Sequence, residues 1–77
     1  MTVGQPPMGK PIMLRPVEEL EISLWAADLL KDANIYYIGD LVQQTEAGLL
    51  QRRNIPEIAV VEIRKALRAR GLDFGDG

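Results

Sequence analysis

The chain has no cysteine and no histidine. The first absence excludes a disulfide framework, a thiolate zinc site and a cysteine nucleophile. The second excludes an imidazole base and an imidazole metal ligand. Serine occurs once, at Ser23, with no histidine to activate it. Any catalysis would fall to carboxylates, Lys, Arg or Tyr, so the composition argues against an enzyme and implies no cofactor and no metal. No apolar run approaches the roughly 18 residues of a membrane span, and no charged segment leads into an apolar one as in a signal peptide. Together these absences fit a cytoplasmic protein.

What is present is ordinary for a small globular protein. There are 77 residues, 47% of them hydrophobic and 26% charged, with a net charge of −2. That is one domain at most, with a stability of on the order of 3–5 kcal/mol. Well-placed apolar residues are needed for the core, so any that stays outside is of interest.

Residues 1–13 read as a flexible, linker-like tail, because Pro6, Pro7 and Pro11 alternate with Gly4 and Gly9. Residues 14–75 read as one helical domain. Pro16 fixes a turn behind which Val17 and Leu20 can dock. Ser23 is a good N-cap for a helix over 24–33, with Leu24, Ala27 and Leu30 inward and Asn34 closing it in the left-handed region. Helical segments over 38–43 and 46–51 follow, the first punctuated by Gly39 and the second capped by Thr45. The last helix, 57–70, is expected to have Pro56 at its first position, Val60, Ile63 and Leu67 on its inner face, and Gly71 at its end. Of the adjacent Tyr36 and Tyr37, one is expected inside and one near the surface. No strand pattern competes. The fold class is all-α, a compact cluster of four to five short helices with a helix-hairpin-helix core. That motif class commonly binds nucleic-acid backbone through amides at the start of its second helix.

The segments Leu14-Arg15-Pro16-Val17-Glu18-Glu19-Leu20-Glu21 and Asn34-Ile35-Tyr36-Tyr37-Ile38-Gly39-Asp40-Leu41-Val42, with Arg70-Gly71-Leu72 at the end, resemble the C-terminal domain of the bacterial RNA polymerase alpha subunit. The resemblance covers residues 13–75. It implies a small non-catalytic helical domain that binds the minor groove of upstream promoter DNA and touches σ factor and activators. Whether the domain stands alone or comes from a longer subunit is open.

The resemblance fails where the family meets DNA. The family's first helix carries a pattern like Val-Arg-Ser-Ala-Asn, and here the segment reads Leu24-Trp25-Ala26-Ala27-Asp28. Trp25 stands at the Arg position and Asp28 at the Asn position. The family's hairpin pattern, like Asn-Leu-Gly-Lys-Lys-Ser, is met by Asn54-Ile55-Pro56-Glu57-Ile58-Ala59. Asn54 matches, Pro56 deletes an N–H, Glu57 and Ile58 replace cations, and Ala59 replaces a hydroxyl. Glu62 keeps the family's Glu, without its Arg partner. Phosphate contacts supply most of the affinity for DNA, so DNA binding through this surface is expected to be weak or absent.

Two readings of Trp25 stand side by side. Exposed beside Ile58, it suits a protein interface, including a homodimer through Trp25 and Ile58; with a slightly rotated first helix it packs into the core. Glu19 and Glu21 match the positions through which the family meets σ factor, or form a solvated acidic stretch. Residues 14–50 carry two basic and seven acidic side chains, and residues 51–77 six basic and four acidic. The basic group Arg52, Arg53, Arg64, Lys65, Arg68 and Arg70 is either a residual nucleic-acid site or a set of cations complementing a helix C-terminus. The leading reading is a non-catalytic, transcription-related interaction module whose DNA surface has become a protein surface. The alternative is a DNA-binding domain of a polymerase alpha subunit, using Asn54, Arg52 and Arg53.

Overall fold

The computed structural model describes residues 11–75. Four α-helices follow in order: α1 (Leu24–Asp32), α2 (Ile38–Val42), α3 (Glu46–Leu50) and α4 (Glu57–Ala69). Short 3-10 turns at Ile12–Leu14 and Val17–Glu19 precede them. Among the described residues there is no strand, only isolated bridges of Pro16 with Tyr37 and of Thr45 with Gly75. The all-α expectation holds, and all four helices fall within a residue of their expected bounds.

The caps explain the boundaries. Ser23 has extended backbone, and its Oγ accepts from the Ala26 N–H at 3.1 Å. Thr45 does the same for α3, its Oγ1 accepting from the Gly48 N–H at 2.9 Å. Helix α1 ends in a Schellman motif with Asn34 at φ 65°. The Ile35 N–H donates to the Leu30 carbonyl at 2.9 Å and the Asn34 N–H to the Lys31 carbonyl at 2.9 Å. Helix α4 ends the same way around Gly71 at φ 74°, with Leu72 N–H to Leu67 at 2.9 Å and Gly71 N–H to Arg68 at 3.0 Å. Both ends therefore turn sharply back and deliver Ile35 and Leu72 towards the body. Pro56 is one position earlier than expected: it is the N-cap of α4, with φ −71° and ψ 158°, and Glu57 takes the first helical position.

The core is one cluster built from every element. Leu30 of α1, Ile38 and Leu41 of α2, Leu49 of α3, and Val60, Ile63 and Leu67 of α4 are all fully buried, with Val17 and Leu20 beneath them. Ala26 and Ala27 are the buried positions that open α1. Their small side chains let it approach the Val17–Glu19 turn and α4 closely.

Several expectations are corrected. Ile12 and Met13, expected in the tail, form a 3-10 turn and pack on the core; residues 1–10 lie outside the described residues. Gly39 is where that turn comes close, since a Cβ there would sit 2.9 Å from the Met13 carbonyl oxygen. Leu24 is 73% exposed rather than inward. The buried stripe runs through Ala26, Ala27 and Leu30, and at about 100° per residue Leu24 falls on its flank. Tyr36 and Tyr37 are both exposed. Ile35 and Ile38 on either side take the inward places, while this stretch bonds to the Pro16 turn through Val17 N–H to Tyr36 carbonyl and Ile38 N–H to Arg15 carbonyl, both 2.9 Å.

Candidate interaction face

The N-terminal end of helix α1 is tied to the middle of helix α4 by one carboxylate. Glu62 accepts from the Ser23 backbone N–H and, at 3.3 Å, from the Ser23 hydroxyl. Ser23 thus caps its own helix and is anchored to α4 at once, and a negative charge sits at the positive end of α1. Sequence alone leaves Glu62 without a partner. A residue 39 positions away gives no local signal, so only folding reveals the pair. Glu62→Ala should lower the melting temperature by roughly 4–8 °C, corresponding to about 1 kcal/mol for a charge-assisted bond at a part-exposed cap. Thermal denaturation followed by circular dichroism checks this, and a variant as stable as the parent would show the link to be idle.

Exposed apolar residues flank both partners of that tie along the chain. Trp25, two residues past Ser23, is 48% exposed, and Ile58, one turn before Glu62, is 69% exposed. Leu24 adds a third large apolar side chain, expected in the core and exposed in the fold. A shallow hollow of about 190 Å³ adjoins it, lined by Glu18, Ile22, Ser23, Leu24 and Ala27. Asp28 is exposed, and so are Asn54, Pro56 and Glu57. Ala59 departs from the expected surface set: it is fully buried. It lies on the same stripe of α4 as Ile63 and Ala66, so it is core and offers nothing to a ligand.

The charges divide between structural and uncommitted. Arg64 pairs with Glu46 at 2.9 Å, Arg68 with Asp73 at 3.2 Å, and Arg70 donates to the Glu19 carbonyl at 2.8 Å. These three cations of the basic group are engaged with the domain's own elements. Arg52, Arg53 and Lys65 are exposed and enter no ion pair among the described residues. Lys31 binds Glu18 at 2.7 Å and approaches Asp28 only to 3.8 Å. The Lys31 hydrogen bond holds the Glu18 carboxyl below its usual range and raises the Lys31 ammonium in return. This pair therefore favours the folded state at neutral pH. Its contribution fades as pH falls through the lowered Glu18 pKa, or rises through the raised Lys31 pKa. Glu19 meets Arg15 at 2.7 Å on the surface, and Glu21 is exposed with no ion pair among the described residues.

A family model for the C-terminal domain of the bacterial RNA polymerase alpha subunit matches residues 5–69. The protein belongs to this family. Membership makes it a polymerase-type domain that is non-catalytic on its own, and the all-α cluster agrees with that. No helix among the described residues is long and apolar enough to cross a membrane.

Proposed function

We propose that this member of the polymerase alpha C-terminal domain family is a cytoplasmic, non-catalytic protein-contact module of transcription, in which the surface the family uses for DNA has been given over to apolar protein contact. The observation that carries the reading is the exposure of Trp25 and Ile58, at positions where the resemblance expects an Arg and a Lys. Large apolar side chains grouped at a surface mark interaction sites, and Trp is enriched among the residues that dominate them. The electrostatics point the same way. Pro56, the N-cap of α4, has no N–H to offer a phosphate, and Glu57 is exposed in the first turn, where the helix end is positive. The test is titration of an A·T-rich duplex at physiological salt. Affinity is expected in the non-specific range of ~10⁻⁴–10⁻⁶ M, and tight, sequence-selective binding would overturn the proposal.

A second reading, a DNA-binding domain of a polymerase alpha subunit, is favoured by one observation. Arg52, Arg53 and Asn54 are exposed together in the hairpin, and neither Arg enters an ion pair among the described residues. The same titration separates the two.

The acidic residues Glu19 and Glu21 are proposed as a second contact, for a basic surface such as the family's partner σ factor. Replacing both by Lys should weaken a complex with σ factor at least tenfold. The melting temperature should stay within a few degrees, because an exposed Arg15–Glu19 pair is worth roughly 0–1 kcal/mol and the Arg70 bond uses the Glu19 backbone. A collapse of stability would make the pair structural.

A further inference from the structure

The exposed apolar face divides into two halves of opposite charge. In the first, Leu24 and Trp25 open α1, and the outward side of that helix continues with Asp28 and Asp32, both exposed. Asp32 enters no ion pair among the described residues, and Asp28 has only the 3.8 Å approach of a Lys31 already bound to Glu18. In the second half, Ile58 lies in the first turn of α4, just past the hairpin cations Arg52 and Arg53 and two turns before Lys65. These three cations outnumber the exposed anion Glu57, and Glu62 is turned to Ser23. The Ser23–Glu62 bond holds the halves next to each other.

A surface with an acidic apolar half beside a basic apolar half is complementary to itself after a two-fold rotation, which is what an isologous interface requires. A purely basic partner would leave Arg52, Arg53 and Lys65 unmatched, and a purely acidic one would leave Asp28 and Asp32 unmatched. We propose that this face binds a second copy of the protein, forming a two-fold dimer in which Trp25 of one protomer packs against Ile58 of the other. The α1 carboxylates of each protomer then face the hairpin and α4 cations of its neighbour. This rests on the protein-contact reading above and names the partner.

Sedimentation and light scattering over a concentration series test it. The parent protein should show twice its 8.6 kDa mass at high concentration, dissociate on dilution, and associate at least tenfold more weakly at high salt, where charge pairs are screened. Trp25→Arg should remain monomeric at every concentration. The decisive arm is a charge exchange. A variant with Asp28→Lys and Asp32→Lys, and a variant with Arg53→Glu and Lys65→Glu, should each be monomeric alone and form a dimer when mixed in equal amounts. Recovery on mixing also shows that both variants fold. A monomeric parent, or exchanged variants that fail to recover on mixing while their circular dichroism stays helical, would overturn the dimer. If the parent is monomeric and still binds DNA only weakly, the dimer falls and the protein-contact reading stands. If it is monomeric and binds the A·T-rich duplex tightly, both fall.

Discussion

Changing Trp25→Arg, Asp28→Asn, Pro56→Gly and Glu57→Lys together should tighten binding to an A·T-rich duplex by on the order of 100-fold at physiological salt. Two of the changes add cations, two remove anions, and one returns a backbone N–H to the start of α4. All four positions are at the surface, so the fold should tolerate them. The mechanism predicts a second observable. Two new phosphate contacts should steepen the dependence of log affinity on log salt by about 2, since each contact releases counterions. A gain in affinity without the steeper salt dependence would mean that something other than phosphate contact had been restored. No gain, in a variant with unchanged melting temperature, would mean that the surface lost its DNA function for reasons beyond these four residues.

Two isoleucines five positions apart on α4 should behave in opposite ways. Ile63 is fully buried and Ile58 is 69% exposed. Ile63→Ala removes a filled volume from the middle of the core, at a cost of roughly 2–5 kcal/mol. A domain this small has about 3–5 kcal/mol in total, so the variant should lose a large part of its stability and, at the upper end of that cost, be largely unfolded at 25 °C. Ile58→Ala, measured in dilute protein, should change stability by no more than about 0.5 kcal/mol. Urea and thermal denaturation followed by circular dichroism give both numbers. Equal losses would mean that Ile58 packs inside the domain, and the apolar face would lose one of its members.

Helix identity and boundaries are legible in the amino-acid sequence because the signals that set them are local. Ser23 and Thr45 satisfy backbone donors three residues on, and Asn34 and Gly71 supply the positive φ that closes α1 and α4. The spacing of Val60, Ile63 and Leu67 marks the buried stripe of α4 without reference to anything else. The departures of Trp25, Asp28, Pro56, Glu57 and Ile58 from the family pattern are likewise plain from residue identity alone.

Facing and pairing are a different matter, because they depend on residues distant in sequence. Grouping Leu24 with Ala27 and Leu30 puts it inside, but the body packs against the side of α1 that holds Ala26, Ala27 and Leu30, which leaves Leu24 on the flank. The family pattern makes Ala59 a surface position, but the orientation of α4 against the core buries it. The tyrosines both stay outside because Ile35 and Ile38 fill the interior. The partner of Glu62 sits 39 residues away. Which cations are committed to the fold and which are free for a ligand likewise depends on where Glu46, Asp73 and the Glu19 carbonyl come to rest. Capping and periodicity act over a single turn of helix, whereas exposure and ion pairing are settled when the turns pack together.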